Sequence, residues 1–287
     1  MPEGDTVWRT AQRLHAALGG RPAGLVDLRW GEVDEAPLTG AVVDEVVPRG
    51  KHLLHRFASG WTLHTHLRME GSWRVEAAGS QAAARSLRRP DLRAAIGNDE
   101  WTTLGLRLGE LDVVPSAEEH RLVGHLGPDV LGADWEPEVV ARRLGEQPAG
   151  VSIAAALLDQ RVLAGVGTFW ASEALFVQRL HPWRAAADLT PDERAALVAR
   201  VHELMDRGKE HAVQSSTGVL RADQRSWVHG RSGRPCRRCG TTVRVAPLGR
   251  AGVDRVFFSC PTCQGGLAPT DDGRPQGPLG SRRRARP

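Results

Sequence analysis

The segment Cys236-Arg-Arg-Cys239, followed after twenty residues by Cys260-Pro-Thr-Cys263, contains all four cysteines of the chain. Two Cys-x-x-Cys pairs at this separation bring four thiolates from two facing turns onto one tetrahedral ion, which is the spacing of a zinc ribbon. Because four sulfur ligands close the site, such a zinc ion stabilises the fold and does not catalyse. The alternative is two disulfide bonds, which require an oxidising compartment.

The start of the chain indicates the compartment. Residues Met1-Pro-Glu-Gly-Asp5 are acidic and no apolar stretch follows them, and no window of 18 residues is apolar without a charge. A secretory signal and a membrane-spanning helix are therefore not expected. The sequence predicts a cytoplasmic protein, where reduced cysteines favour zinc over disulfides.

Charge is distributed unevenly along the 287 residues. The net formal charge is +4, but residues 221–287 contain fourteen arginines against four aspartates, which gives +10 there and −6 in residues 1–220. A basic region of this size favours a polyanionic partner such as nucleic acid, although a solvated basic surface is the alternative. With 41% hydrophobic and 25% charged residues, the chain is expected to fold into about two domains.

The periodicity of apolar residues predicts an α+β multidomain protein. Residues 5–18 have the pattern of an amphipathic helix, and a β-sandwich or barrel is expected from short alternating runs near 23–30, 41–47, 52–57, 61–67, 72–77 and 101–114. Helices are expected at 136–144, 151–161, 168–178 and 191–211. The predicted domains are a β-sandwich with a leading helix at 1–125, a helical domain at 126–223, a zinc finger at 224–265 and a disordered basic tail at 266–287.

Pro2 and Glu3 are candidates for chemistry at the N-terminus. If Met1 is removed, the chain begins with the secondary amine of Pro2. An α-amino group has a reference pKa near 7.7–8.0, against about 10.4 for lysine, so far more of it is unprotonated and nucleophilic at pH 7. Glu3 places a carboxyl group beside that amine, where it could donate and accept protons. Many proteins begin with Met-Pro-Glu without any catalytic use of these residues, so this pair alone is a weak signal.

Lysine is rare in this chain, since Lys51 and Lys209 are the only two among 38 basic residues. Lysine is a compact point charge that can lose its proton, which arginine cannot do. Lys51 ends the segment Pro48-Arg-Gly-Lys51, directly before an apolar run. It is either an ordinary turn residue or a functional cation.

Several motifs together resemble one family, the DNA glycosylase/AP lyases of the formamidopyrimidine-DNA glycosylase and endonuclease VIII type. They run in family order from residue 2 to residue 264. The matching segments are Met1-Pro-Glu-Gly4, Arg49-Gly-Lys51, His66-Leu-Arg-Met-Glu-Gly-Ser-Trp73, Gly127-Pro-Asp129, Leu157-Leu-Asp-Gln-Arg-Val-Leu-Ala-Gly-Val-Gly167, His229-Gly-Arg231 and the cysteine pairs. The opening Pro-Glu-Gly looks more like the endonuclease VIII branch.

The resemblance implies a role for each catalytic residue. The Pro2 amine would attack C1′ of a damaged nucleotide and form a Schiff base, which leads to base loss and β,δ-elimination. Glu3 would transfer the protons, and Lys51 would contact the phosphate near the lesion. Arg255 would grip the phosphates that flank the extruded nucleotide.

The resemblance also implies a DNA-binding surface. An enzyme of this kind must flip the nucleotide out of the stack and fill the void, a task that suits Met69, with Arg68 beside it at the opposite base. The alternative for Met69 is a strand residue packed in the core. A helix-two-turns-helix element would present backbone N–H groups to phosphate, and Arg231 would add a contact. The residues of that element are Gly165, Gly167 and Thr168.

Two positions depart from the family pattern. Thr6 replaces a common second glutamate, and Thr168 replaces an asparagine. A catalytically weak protein that binds abasic or damaged DNA is therefore the alternative function, and a zinc-ribbon protein that binds RNA or another protein is a further one. Oxidised pyrimidines are the expected substrates, with an 8-oxoguanine preference as the alternative, because residues 212–227 lack the Thr-rich and Asp-Gly pattern of the 8-oxoguanine enzymes.

The family resemblance completes the expectations about partners. The expected partner is damaged DNA and not a membrane, and the expected cofactor is one structural Zn²⁺ with no organic cofactor. The protein is expected to be a monomer in the cytoplasm that associates with the nucleoid when it binds DNA. The arginines of residues 282–286 are expected to add nonspecific affinity for DNA.

Overall fold

The computed structural model describes residues 2–248 and 255–279, and it divides into two compact units. The first unit is Met1–Leu126 and the second begins at Gly127. Among the described residues, no helix has both the length and the apolar character needed to cross a membrane.

The first unit opens with helix α1, Gly4–Leu18, whose apolar face is buried at Val7, Ala11 and Leu14. The helix ends where Gly19 and Gly20 follow, and Gly20 takes a positive φ of 73° that favours glycine. The other helices of this unit are α2, Gln81–Leu87, and the single turn α3, His120–Val123.

Eight strands form two four-stranded antiparallel sheets. In chain order they are β1 Leu25–Leu28, β2 Val43–Arg49, β3 His52–Phe57, β4 Trp61–His66, β5 Ser72–Ala77, β6 Leu92–Gly97, β7 Trp101–Leu106 and β8 Glu110–Pro115. One sheet has the order β1-β6-β7-β5 and the other β2-β3-β4-β8. Both contribute to one apolar core together with α1, for example Leu53 and Leu63 from one sheet and Ile96 from the other, so the predicted sandwich is confirmed.

Two features of this unit were not predicted. The segment 81–97 contains α2 and β6, which the alternation analysis omitted because the Ala- and Arg-rich stretch has few β-branched residues. The single run expected at 101–114 is two strands, β7 and β8. They separate at Arg107, which has a φ of 49°, and the backbone there leaves the β region.

The second unit begins with four helices: α4 Pro137–Gly145, α5 Ile153–Leu158, α6 Thr168–Val177 and α7 Pro191–Lys209. Their bounds agree with the predicted helices to within three residues. Helix α6 is buried on all sides, and it lies in the middle of the core that contains Trp170, Leu157 and Val201. Helix α7 begins with a capping box in which Thr190 and Glu193 satisfy each other's backbone N–H groups.

A small β-hairpin carries the cysteines within the same unit. Strands β9, Arg244–Pro247, and β10, Val256–Ser259, pair antiparallel and are followed by the short helix α8, Pro261–Gln264. The hairpin packs on α6, since the guanidinium of Arg238 lies 4.3 Å from the ring centroid of Phe176. The Gln264 amide also donates a 2.9 Å hydrogen bond to the carbonyl of Leu180.

The chain after Gln264 forms hydrogen bonds with β9. Asp271 accepts a 2.7 Å hydrogen bond from Arg244, and the Gln276 amide oxygen accepts one of 2.9 Å from the backbone of Val245. Side-chain hydrogen bonds thus connect residues 271 and 276 to β9, and disorder from residue 266 stays a prediction. The arginines of residues 282–286 lie outside the described residues.

Candidate active site and nucleic-acid interface

Pro2 and Glu3 lie at the N-terminus of α1. Glu3 is the N-cap residue, with extended backbone angles, and its carbonyl accepts hydrogen bonds from the backbone N–H groups of Thr6 and Val7 at 2.9 and 3.0 Å. The Glu3 residue is only 1% exposed, whereas Pro2 is half-buried. The start of the helix therefore fixes the backbone of Glu3, the residue that follows Pro2.

The next turn of α1 contains a buried carboxylate that the sequence analysis did not single out. Asp5 is fully buried and accepts a 3.3 Å hydrogen bond from Arg9. Arg9 also donates to the hydroxyl of Thr6 at 3.1 Å. Thr6 is one of the two departures from the family pattern. Its neutral hydroxyl accepts a hydrogen bond from the Arg9 guanidinium, whereas a glutamate at this position would carry a negative charge.

Lys51 lies in the tight turn between β2 and β3. Arg49 and His52 are the last paired residues of strands β2 and β3, so Gly50 and Lys51 form a two-residue loop. Gly50 has a φ of 60°, the conformation that the first central position of a type II′ turn requires. Glycine at this position therefore sets the direction in which the chain presents Lys51.

A group of histidines lies beside this turn on the sheet of β2, β3, β4 and β8. The His52 Nδ1 and His64 Nε2 atoms are 2.8 Å apart, and the ring of His66 meets that of His52 edge-on at 4.7 Å between centroids. Burial lowers the pKa of His52 to about 3 and that of His66 to about 4. The sequence analysis missed this group, because only the strand register brings the three rings together.

His55 faces the interior of the same unit and provides a test of pH dependence. It is fully buried, with its ring 5.1 Å from that of Trp73, and burial lowers its pKa to about 4 from 6.5. Because the folded pKa lies below the unfolded one, stabilisation is complete above pH 6.5 and is lost as the pH falls toward 4. We expect His55 to account for about 2 kcal/mol of lost unfolding free energy between pH 7 and pH 5.

Urea unfolding at pH 7 and pH 5 measures this contribution. The variant His55→Leu is expected to lose about 2 kcal/mol less than the parent on acidification. The exposed His120, replaced by leucine, is the matched control and should leave the pH dependence unchanged. An equal loss for His55→Leu and the parent would show that His55 does not set the acid sensitivity.

Met69 is at the tip of the loop between β4 and β5. Its side chain is 63% exposed, so the alternative of a core residue is wrong. Arg68 beside it has a φ of 52°, a left-handed conformation that is uncommon outside glycine, and its guanidinium pairs with Glu110. A Cβ atom at position 109 would lie 2.1 Å from the Cγ of Arg68, which is a steric clash. Glycine at this position therefore leaves room for the Arg68 side chain.

A buried turn leads into the N-terminus of α6. Gly165 has a φ of 96°, and its backbone N–H donates to the side-chain oxygen of Gln160 at 3.0 Å. Gln160 also donates to the carbonyls of Leu158 and Val166, so one amide side chain holds the whole turn. Gly167 is the N-cap of α6 and brings no side chain between the helix end and a ligand, while Thr168 is buried.

Glu173 on α6 is a second residue that the sequence analysis missed. Its fully buried carboxylate accepts hydrogen bonds from the backbone N–H groups of residues 227, 228 and 229, at 2.6, 2.9 and 2.7 Å, and from the hydroxyl of Ser216. Burial raises the pKa of Glu173, and these donors oppose that shift. Glu173 therefore anchors the segment that leads into the cysteine hairpin.

The two arginines predicted to contact DNA differ in their surroundings. Arg231 donates a 2.7 Å hydrogen bond to the carbonyl of Pro235, and burial lowers its pKa. Arg255 is exposed, and its carbonyl accepts a 3.0 Å hydrogen bond from the backbone of Leu248. Arg231 is therefore fixed within the turn before Cys236, while Arg255 extends from the start of β10.

The four cysteines meet at the base of the hairpin. Their sulfur atoms all lie within 4.8 Å of one another, with Cys236 and Cys263 at 4.0 Å and Cys239 and Cys260 at 3.4 Å. Two sulfur ligands of a tetrahedral zinc ion, each about 2.3 Å from the metal, lie about 3.8 Å apart. The four are free thiols, so the alternative of two disulfides is not seen and the donor set fits a metal ion.

Comparison with known proteins identifies the family of this chain. Residues 1–105 match the model of the formamidopyrimidine-DNA glycosylase N-terminal domain, and residues 126–219 match that of the formamidopyrimidine-DNA glycosylase H2TH domain. The chain is 44% identical over 274 residues to probable endonuclease 8 2 of Streptomyces coelicolor, covering 96% of this chain and 98% of that protein. The chain belongs to the formamidopyrimidine-DNA glycosylase and endonuclease 8 family.

The chain is also similar to a family member named as a lyase and to a member of known structure. It is 40% identical over 264 residues to the DNA-(apurinic or apyrimidinic site) lyase Nei2 of Mycolicibacterium smegmatis, covering 92% of this chain and 99% of that protein. Among solved structures, the MutM (Fpg) protein of Thermus thermophilus is 30% identical, with a TM-score of 0.75 over 93% of this chain and 100% of that one. The chain is therefore an enzyme of the DNA glycosylase and lyase class.

The formamidopyrimidine-DNA glycosylase of Lactococcus lactis, bound to DNA with an abasic site, shares the fold at lower identity. It is 20% identical, with a TM-score of 0.77 over 92% of this chain and 99% of that one. A β-sandwich unit followed by a helical unit is thus the family fold.

Proposed function

We propose that this protein is a bifunctional DNA glycosylase/AP lyase of base excision repair that removes oxidised pyrimidines and cleaves the strand by β,δ-elimination. The observation that carries the proposal is the burial of Glu3, which follows Pro2 directly and is the N-cap residue of α1. A carboxyl group in this place can pass protons to and from a reaction at the adjacent amine.

In the proposed reaction, the Pro2 amine forms a bond to C1′ as the glycosidic bond breaks and the damaged base departs with a proton. The sugar ring opens to a Schiff base, for which Glu3 protonates the ring oxygen. Loss of a C2′ proton then expels the 3′ phosphate, and a second elimination expels the 5′ phosphate. Lys51, fixed by the Gly50 turn, would neutralise phosphate charge during these steps.

The proposed DNA contacts divide between void filling and phosphate binding. Exposed Met69, with Arg68, would fill the space left by the flipped nucleotide. Gly165 would shape the turn, and the N-terminus of α6 at Gly167 and Thr168 would bind phosphate. Arg231 and Arg255 would add charge-assisted phosphate contacts from the segment around the hairpin.

We assign one structural Zn²⁺ to Cys236, Cys239, Cys260 and Cys263, since the separations of their sulfur atoms fit a tetrahedral ion. The ion would fix the hairpin from which Arg255 extends. No organic cofactor is part of the proposal. The enzyme would act on damaged DNA as a monomer, in the cytoplasm and associated with the nucleoid.

Two observations support oxidised pyrimidines and abasic sites as substrates. Relatives that are 39–44% identical are named endonuclease 8 2 or abasic-site lyase, while at 31–34% identity the chain matches proteins named endonuclease 8 as well as proteins named formamidopyrimidine-DNA glycosylase. The segment 212–227 also lacks the pattern of the 8-oxoguanine enzymes. An 8-oxoguanine preference is the competing substrate assignment.

Borohydride trapping tests the proposed activity. The purified protein is mixed with duplexes that carry one abasic site, one oxidised pyrimidine or one 8-oxoguanine, and the covalent complex is measured after reduction. We expect complexes with the abasic and oxidised-pyrimidine duplexes, and strand products that carry phosphate at both ends of the gap. Binding to abasic DNA without trapping would instead assign the chain as a damage-binding protein, the alternative that Thr6 and Thr168 suggest.

The salt dependence of DNA affinity tests the three cationic contacts proposed for Lys51, Arg231 and Arg255. Each neutralised phosphate contributes about −0.9 to the slope of log K against log salt concentration, so these three contacts together contribute about −2.7. They alone should lower the affinity about fortyfold between 50 and 200 mM salt. Arg255→Ala should reduce the slope by about 0.9, while Arg274→Ala, at an exposed arginine outside the proposed interface, should not change it. A flat salt dependence would contradict all three contacts.

A further inference from the structure

The strongest unassigned cluster is on the sheet of β2, β3, β4 and β8 in the first unit. The strand register places His52 opposite His66, His64 opposite Asp112 and His66 opposite Glu110. Side chains at alternate positions of neighbouring strands point to the same face of a sheet. Imidazole and carboxylate groups are therefore concentrated on one face at the edge near Lys51.

Three of these side chains converge to the spacing of metal ligands. One ligand atom from each of His52, His64 and Glu110 lies within 4.8 Å of the other two. His52 Nδ1 and His64 Nε2 are 2.8 Å apart, and two nitrogen ligands of a tetrahedral zinc ion lie about 3.3 Å apart. A shift of about 0.5 Å between the two rings would therefore admit an ion.

His64 has the outer hydrogen bond that metal-binding histidines usually have. Its Nδ1 is 2.9 Å from a carboxylate oxygen of Asp112, directly opposite on β8. A carboxylate on one ring nitrogen fixes the proton there and leaves the lone pair of the other nitrogen for a ligand. The lone pair of His64 Nε2 then points toward His52, which is the centre of the cluster.

We propose that His52, His64 and Glu110 form a second metal site, which takes Zn²⁺ or a similar first-row divalent ion and is separate from the four-cysteine site. Two imidazoles and one carboxylate leave a fourth position open for water or for an anionic oxygen. Binding moves the His52 proton from Nδ1 to Nε2, so the ring stays neutral and no net proton is released.

Arg68 competes with the ion for Glu110. The guanidinium of Arg68 pairs with one oxygen of the Glu110 carboxylate, which is 31% exposed, so a metal ion at this carboxylate must compete with the arginine charge. Removal of the Arg68 charge is therefore expected to raise the metal affinity. A cluster that is only a hydrogen-bonded histidine pair would show no such dependence.

The test uses the full-length, untagged protein with its four-cysteine site filled with zinc. Co²⁺ is added, excess ion is removed by desalting, and bound metal is counted by elemental analysis alongside the visible spectrum. We expect a second metal equivalent whose cobalt spectrum lacks the sulfur charge-transfer bands of a cysteine site. Absence of a second equivalent, or a second equivalent with sulfur bands, would overturn the proposal.

Variants assign the ligands. Glu110→Gln and His64→Gln should abolish the second equivalent, Asp112→Asn should weaken it about 10- to 100-fold, and Arg68→Met should strengthen it. His120→Gln, at an exposed histidine of the same unit, is the matched control and should bind as the parent does. Circular dichroism checks that each variant folds. Glu110 and Asp112 are partly exposed, so their substitutions should leave the fold intact and can test the site even if His64→Gln does not fold. Unchanged binding by Glu110→Gln and Asp112→Asn would overturn the proposal.

Discussion

Protein whose Pro2 nitrogen is blocked should form no covalent complex with abasic DNA. An uncleaved Ser-Gly extension before Pro2 converts the secondary amine into a tertiary amide, which has no lone pair available to attack C1′. We expect trapping to fall about a thousandfold or more, the scale seen when an enzyme loses its nucleophile. Single-turnover trapping with borohydride measures the loss, and intact mass confirms that Met1 is absent from the parent chain.

The control for this prediction separates chemistry from binding. The extended protein and a Glu3→Gln variant are both measured for affinity to an abasic-site duplex, which each should retain to within a few-fold. Glu3→Gln keeps the amine but removes the proton-transfer group, so its strand cleavage should fall about 10²- to 10⁴-fold. If the extended protein is trapped as efficiently as the parent, another amine is the nucleophile, and Lys51 is then the first residue to replace.

The sequence predicted those features that depend on local spacing. The cysteine pairs and the Gly50-Lys51 turn are each contained in a few residues, so the sequence indicates them without knowledge of the fold, while the chemistry of Pro2 and Glu3 stays a prediction. Amphipathic periodicity likewise located α1 and α7 to within two residues of their observed ends. In each case the determining interaction is between near neighbours in the chain.

Features that depend on tertiary contacts were missed for physical reasons. Glu173 lies in the middle of a helix where a carboxylate is usually solvated, and its partners lie 43–56 residues away. The histidine group exists because antiparallel pairing aligns β3, β4 and β8, and no spacing in the sequence reports that register. The hydrogen bond between Asp271 and Arg244 joins residues 27 positions apart, and no apolar pattern in the sequence indicates it.

Removal of the metal from the four-cysteine site should unfold the hairpin and weaken DNA binding. Structural zinc supplies about 10–16 kcal/mol of folding free energy in isolated fingers, and β9 and β10 are only four residues each. Cys260→Ser removes a fully buried ligand, so the hairpin would lose the ion that closes it. Loss of one charge-assisted phosphate contact costs about 1.5–3 kcal/mol, which predicts a rise of about 10- to 100-fold in the dissociation constant for abasic DNA.

Arg255→Ala distinguishes loss of the hairpin from loss of one contact. This exposed residue can be shortened while the cysteines and their metal stay in place, so the variant should keep its zinc and its unfolding midpoint. If the hairpin acts through Arg255, then Arg255→Ala should reproduce most of the affinity loss of Cys260→Ser at full zinc content. Zinc-free Cys260→Ser protein that binds abasic DNA as tightly as the parent would exclude the hairpin from the interface. The basic charge of residues 221–248 would then contact DNA from the segment that Glu173 anchors, because that carboxylate holds residues 227–229 independently of the metal.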